Sequence, residues 1–263
     1  MTDSVIEARG LELRREGYPV FAGLDWTVCK GERWAILGPN GAGKSTLSQA
    51  LQGRLHPWEG TLSVLGIRFG KDVITSLWKD VGFAGEALER LFPPVLSLEN
   101  LVASGLLGSI GFLFETPTKA DYARSRKALS IWGLGERLKQ NYHTASLGER
   151  RKALIARALV GAPKLLVLDE PFAGLDPAAR EDMVAELDRL TTRRPELPIV
   201  LVTHHTEEIP AAWTHVLLLP HGAPPSLGTA AQQLTSAKLS ELYHRPFAVR
   251  KVAGRRFLLP EDG

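Results

Sequence analysis

The stretch Gly38-Pro39-Asn40-Gly41-Ala42-Gly43-Lys44-Ser45-Thr46 stands between an apolar run, Trp34 to Leu37, and a helical pattern that begins at Lys44. A strand that gives way to a glycine-rich bend and then to a helix is the context that the GxxxxGK[ST] pattern requires. Glycines at 38, 41 and 43 open backbone conformations closed to other residues and bring N–H groups close to phosphate oxygens. Lys44 adds a point charge. The helix start aims its own N–H groups and positive dipole end at the same anion, and Ser45 offers a hydroxyl to Mg²⁺. A glycine-rich turn that merely precedes a helix is the structural alternative, and it does not account for the full pattern with its strand. The segment reads as a loop that cradles the phosphates of a nucleotide such as ATP.

Working outward, further short apolar runs bounded by turn residues recur at Val81 to Ala84, Leu165 to Leu168, Ile199 to Val202 and Val216 to Leu219. They read as buried, mostly parallel strands. Helical patterns between them, including Arg150 to Val160 and Pro177 to Leu190, imply an α/β fold, a P-loop NTPase core with a mostly parallel sheet. Lys164 to Pro171 is a strand that ends in adjacent carboxylates, Asp169 and Glu170. Ligands sit at the C-terminal edge of a parallel sheet, so Asp169 is expected beside the phosphate loop as a Mg²⁺ ligand. Glu170 points differently and is the candidate general base. A turn or a helix cap is the bland reading of the same pair.

Before residue 70 the pattern changes. Leu11 to Arg14, Leu24 to Val28 and Thr61 to Val64 are short, alternate polar with apolar, and are separated by glycine turns, which predicts an N-terminal antiparallel β-layer. Trp26 and Trp34 alternate with other apolar residues there and read as core anchors, and Cys29 as a strand residue. Between Leu88 and Tyr142 helix signals take over, with Ser97 placed to cap one helix and Thr118 with Asp121 to form a capping box for another reaching about Gly133. This predicts an inserted α-helical subdomain. Pro246 to Pro260 suggests a hairpin turning at Ala253-Gly254, with Arg250, Lys251, Arg255 and Arg256 read as a solvated basic face. The expected organisation is one domain over 1–263. Within it, 1–87 and 146–225 form the core with its β-subdomain, 88–145 the helical subdomain, and 226–263 a C-terminal extension.

Composition narrows the class. The 263 residues carry 32 Lys plus Arg against 29 Asp plus Glu, and 44% are hydrophobic, which excludes wholesale disorder and gives no strong polyanion signal. A single cysteine excludes an intrachain disulfide framework and points to a reducing compartment. The longest aliphatic runs fall far short of the roughly 18 residues of a membrane span, and the start lacks the basic and apolar regions of a secretory signal.

These residues resemble one family, the nucleotide-binding subunits of ATP-binding cassette (ABC) proteins, over about Val5 to Pro220. Ser146-Leu147-Gly148-Glu149-Arg150 is similar to the family signature usually written LSGGQ, Ala173 to Asp176 to the D-loop, and Thr203-His204 to the switch histidine. The resemblance implies that two subunits sandwich two ATP molecules. Each ATP would lie between one phosphate loop and the partner's signature, with Ser146, Gly148, Glu149 and Asp176 at the nucleotide and His204 at its γ-phosphate. His205 is the rival for that last role. Ser146 and Glu149 also read as a capping box in their own right. The chain departs from the family at Leu147 and Glu149, which replace a Gly and a Gln, and at Glu86, the best match to the Q-loop Gln and a further candidate metal ligand. Arg15 or Tyr18 stands where the family has an adenine-stacking aromatic.

The resemblance implies an ATP-hydrolysing subunit of an importer-like ABC transporter, similar to those for metal chelates or oxyanions. It would work as a homodimer on the cytoplasmic face of the membrane, docked by its helical subdomain on a separate integral membrane permease, with no nucleic acid expected. The alternative is a free-standing soluble ABC ATPase in nucleic-acid metabolism or regulation. A small-molecule kinase leaves Ser146 to Glu149 unexplained.

Overall fold

Alternation of apolar and polar side chains builds the first layer. The computed structural model describes residues 4–109 and 116–261, and of Ser76 the backbone alone. Residues 1–3, residues 110–115 inside the expected helical insert, and residues 262–263 lie outside the described residues. Strands β1 (Ser4–Arg15) and β2 (Tyr18–Cys29) pair antiparallel, burying Ile6, Ala8, Leu11 and Leu13 on one and Phe21, Leu24, Trp26 and Val28 on the other. Both are 12 residues long rather than short. Register shifts between Ala8 and Leu11 and again between Leu11 and Leu13 re-phase the alternation, so each long strand reads in sequence as a short one. Next, β3 (Arg33–Leu37) leads through the glycine loop into α1 (Lys44–Leu51). β4 (Glu59–Val64) returns antiparallel to β1, and β5 (Ile67–Arg68) closes the layer. Trp26 and Trp34 are 1% and 3% exposed with rings edge-on at 5.6 Å, the core anchors the sequence anticipates.

The chain continues through α2 (Leu77–Asp80), β6 (Val81–Gly85), α3 (Glu86–Glu89), α4 (Leu98–Leu106), α5 (Lys119–Ile131) and α6 (Leu147–Leu159) to β7 (Leu165–Asp169) and α7 (Pro177–Arg193). Then come β8 (Ile199–Thr203), β9 (His215–Leu218), β10 (Ser226–Thr229), α8 (Ala230–Gln233), α9 (Ser236–Tyr243), β11 (Phe247–Val252) and β12 (Arg255–Pro260). Two compact units result: residues 1–74 with 187–263, and residues 75–186.

In the first unit β3 runs parallel to both β8 and β9, with Leu37 opposite Thr203 on one side and Leu218 on the other, while β10 adds antiparallel to β9. All five residues of β8 are buried, as a near-continuous apolar run in a covered parallel sheet should be. In the second unit β6 and β7 pair parallel from Val81 opposite Leu165 to Gly85 opposite Asp169. Helices α4, α5 and α6 of that unit pack on one another, and the caps fall where the sequence puts them. Ser97 Oγ accepts from Asn100 N–H at 3.2 Å, and Thr118 and Asp121 exchange both bonds of a capping box. Glu99 of α4, 1% exposed, ties these helices together. Arg126 pairs with its carboxylate, Lys139 Nζ donates to it at 2.8 Å, and Ser125 Oγ donates to its carbonyl at 2.7 Å. Burial pulls the Glu99 carboxyl up, yet the Lys139 and Arg126 hydrogen bonds hold it below its usual range.

The C-terminal hairpin β11–β12 turns at Ala253-Gly254 as the sequence indicates. Its solvated basic face needs correction. Arg250 and Lys251 are exposed, but Arg255 and Arg256 are half-buried, and Arg255 donates to a backbone carbonyl of the first unit.

Candidate nucleotide site

The glycine loop owes its shape to what lies behind it. A Cβ on Gly38 would stand 2.3 Å from the carbonyl oxygen of Leu219, and one on Gly43, at φ 95°, would stand 2.2 Å from Val20 Cγ1. Contacts that close exclude any side chain unless the backbone moves, so the loop lies flat on its own scaffold. Lys44 is 4% exposed, and its ammonium bends back to the carbonyls of Gly38 and Pro39 at 2.9 and 3.0 Å. No side-chain hydrogen bond caps α1 among the described residues, so the first-turn N–H groups and the dipole of this helix point toward the loop that Pro39, Asn40, Gly41 and Ala42 complete. Ser45 and Thr46 lie in that first turn.

Parallel pairing brings a second segment to the same strand edge. Thr203 ends β8 directly opposite Leu37, and His204 follows it. The His204 and His205 rings lie 4.1 Å apart, His205 Nδ1 is 3.4 Å from a Glu207 carboxylate oxygen, and the Tyr243 hydroxyl donates to the His204 carbonyl at 3.1 Å. Thr203 Oγ1 accepts from His205 N–H at 3.1 Å and donates to the buried Glu208, whose carboxyl burial pushes up. Arg15 and Tyr18 face each other across the β1–β2 turn, with Tyr18 76% exposed. Val20, two residues further along β2, is the residue that Gly43 approaches, so this turn stands close to the phosphate loop.

Sequence reasoning missed His221. Its Nε2 lies 2.8 Å from the Asn40 carbonyl, and its Cε1 would be 3.2 Å from a Cβ on Gly41, so the ring backs the bend of the loop. At 181 positions from Asn40, no local signal could have found it.

The remaining candidates belong to the second unit. Asp169, 8% exposed, closes β7 opposite Gly85, where a Cβ would come within 2.9 Å of its own. Glu170 takes a left-handed backbone at φ 49°, a conformation that costs a non-glycine residue about 1 kcal/mol and breaks the extended run of the strand. Glu86, one residue past Gly85, opens α3, and its exposed carboxylate accepts from Arg90 Nη2 at 2.9 Å. Ser146 caps α6: its hydroxyl accepts from Glu149 N–H at 3.3 Å, and Glu149 Oε2 accepts from Ser146 N–H at 2.9 Å. Arg137 Nε pairs with Glu149 Oε1 at 3.0 Å, neutralising the carboxylate that stands in place of the signature's Gln. Gly148 has room, since a Cβ there meets nothing closer than 3.7 Å, at Ala179. Asp176 caps α7, accepting from Ala179 N–H at 2.9 Å.

Among the described residues no helix is long and apolar enough to cross a membrane. A strand, a flat glycine loop over a buried lysine and an uncapped helix start define a P-loop nucleotide-binding protein. The family model described as ABC transporter matches residues 21–173, and the chain belongs to this family of ATP-binding, ATP-hydrolysing transporter proteins. It is 35% identical over 255 residues to the ABC transporter ATP-binding protein YlmA of Bacillus subtilis, itself uncharacterized, covering 97% of this chain and 96% of that one. A solved inward-facing structure described as being of the metal-chelate ABC transporter type superposes with a TM-score of 0.80 at 27% identity over 98% of each chain. CbiO1 from Clostridium perfringens, part of the transporter complex CbiONQ, gives a TM-score of 0.75 at 25% identity over 91% of this chain and 94% of that one. Nothing among these relatives supports the nucleic-acid alternative.

Proposed function

We propose that this chain is the ATP-hydrolysing subunit of an importer-type ABC transporter. In this reading a homodimer closes on two ATP molecules at the cytoplasmic face of the membrane, and the closure drives a separate integral membrane permease docked on the 88–145 segment. The observation that carries the reading is the phosphate loop, laid flat on Leu219 and Val20 with Lys44 buried beneath it and the uncapped start of α1 behind it. Likeness to CbiO1, part of a multi-component transporter complex, supports the permease partner.

Each residue then has a task. The loop amides of Gly38 to Gly43 and the ammonium of Lys44 hold the β- and γ-phosphates, and Ser45 and Thr46 continue the anion site into α1. Tyr18, exposed on the turn whose Val20 meets the loop, offers the larger flat face for adenine, with the Arg15 guanidinium opposite it. The hydroxyl of Ser45 and the carboxylate of Asp169 are hard oxygen donors that suit Mg²⁺, which when bound supplies positive charge at the phosphate oxygens, and Glu86 is a third candidate. Glu170, set off from the strand by its backbone turn, accepts a proton from the attacking water, and His204 donates a hydrogen bond to the γ-phosphate. Across the dimer, Ser146 and Gly148 receive the partner's nucleotide. The Ser146 hydroxyl accepts from Glu149 and still has its proton to donate, and Asp176 fixes the start of α7.

Replacing Glu170 by Gln tests the reading. The variant keeps ATP affinity, loses turnover by about a hundredfold or more, and runs as a dimer in light scattering with ATP. Unchanged turnover would remove Glu170 as the base.

A further inference from the structure

The C-terminal extension does more than cover the sheet. Leu239 and Leu242 seat α9 in the first unit, at 0% and 3% exposure. The hairpin β11–β12 is pinned to that helix, because Ser240 Oγ accepts from Phe247 N–H at 2.9 Å and Ser236 Oγ from Val249 N–H at 3.0 Å. Helix and hairpin thus form one braced piece, and it grips the segment after β8 at two main-chain carbonyls. Tyr243, the last residue of α9, donates its hydroxyl to the His204 carbonyl at 3.1 Å. Arg255, the first residue of β12, donates Nε to the Glu207 carbonyl at 2.8 Å, and its Nη2 donates to the same oxygen. Phe257 lies beneath that guanidinium, 5.5 Å from centroid to Cζ. The hairpin tip closes the grip, since a Cβ on Gly254 would stand 3.0 Å from Ala211 Cβ.

We infer that residues 236–260 are a clamp that sets the backbone of the His204 segment, with Tyr243 and Arg255 as positioning residues for the switch histidine. The two gripped carbonyls bracket His205 and Thr206. Holding the His204 carbonyl fixes the peptide plane on which its ring stands, and holding Glu207 stops the following turn, Thr206–Glu208, from rotating it. Burial, with the negative Glu207 nearby, pushes the Tyr243 phenol above its usual range, so it stays a donor throughout the working pH range. Arg255 is a permanent cation whose fork suits two bonds to one oxygen. The clamp lies outside residues 21–173, the span that the family model matches.

This inference rests on the assignment of His204 to the γ-phosphate, and the test separates the two. Steady-state ATP hydrolysis is measured on the full chain for Tyr243→Phe, Arg255→Gln, Arg255→Lys and His204→Ala, with thermal melting of each. Misplacing a reacting group by about 1 Å costs up to about a hundredfold, so a loosened segment should lower kcat by about tenfold. The KM for ATP should stay within about twofold, because ground-state binding is retained, and melting should fall by no more than a few degrees, as the loss of about 1 kcal/mol of hydrogen bonding implies. Arg255→Lys should recover part of the loss. Wild-type kcat in Tyr243→Phe and Arg255→Gln, beside an inactive His204→Ala, overturns the clamp and leaves the histidine in place. A loss of kcat that tracks a larger fall in melting temperature also overturns it, since the extension is then a stabilising element alone. Full turnover by His204→Ala overturns the histidine assignment, and the clamp with it.

Discussion

Two glycines of the candidate site are glycine for different reasons. Gly38 is dictated by the chain's own packing, with the Leu219 carbonyl 2.3 Å from where a Cβ would sit. Gly148 is not: its nearest neighbour lies 3.7 Å from that position, and it occupies the first turn of α6, where alanine is the better helix former. In the proposed reading, glycine is required there by the partner's nucleotide, which approaches the helix start from outside. Gly38→Ala is therefore expected to lower both melting temperature and ATP affinity, the latter by more than about tenfold, since a forced backbone shift commonly costs 1–3 kcal/mol. Gly148→Ala should melt at the same temperature or higher, gaining up to about 1 kcal/mol, while its ATPase activity collapses. Melting curves and turnover on the two variants check the contrast. Equal damage to folding in both would make Gly148 a packing residue. The reason for Gly38 can be read locally only as a motif, because the carbonyl that enforces it is far away in sequence.

At the scale of elements, much was legible where the signal is local. The capping boxes at Thr118 and Ser146 sit where a hydroxyl residue stands three positions before an acid, and the reciprocal bonds of each form. Strands β3, β6, β7, β8 and β9 announce themselves as apolar runs, because a buried parallel strand has no wet face to mark with polar residues. The two 12-residue strands did not, since their bulges interrupt the period that identifies a strand. Equally silent are His221 against the phosphate loop, Tyr243 against His204 and Arg255 against Glu207, at separations of 181, 39 and 48 positions, because a side chain bonded to a distant carbonyl leaves no pattern around itself. The helical unit carries its own prediction. Glu99 has a depressed carboxyl pKa, so its contribution to stability is present at neutral pH and is lost as pH falls through the lowered folded value. Glu99→Gln should cost about 1 kcal/mol at pH 7, near the low end for a charged hydrogen bond because Arg126 and Lys139 reach it from solvent. Melting measured against pH should show a shallower acid limb in the variant, and an identical limb would place the acid sensitivity elsewhere.

For the whole molecule, the fold supplies two sets of chemistry-bearing groups. One unit holds the phosphate loop with the His204 segment one strand away, and the other holds Asp169, Glu170 and the capped signature helix. The proposed activity requires both sets to serve one nucleotide, with the signature helix turned to a second subunit. Sequence and fold together reach the class of machine, because phosphate recognition is written in backbone geometry; in the proposed reading the cargo is recognised by the separate permease. The most direct test is ATP binding and hydrolysis by Lys44→Ala in the full chain, followed by titration calorimetry and phosphate release. Removing the buried ammonium under the loop is expected to weaken ATP binding by about a hundredfold, as loss of a charge-assisted contact of about 3 kcal/mol implies, and to abolish turnover. Wild-type affinity together with wild-type turnover in that variant would contradict the account.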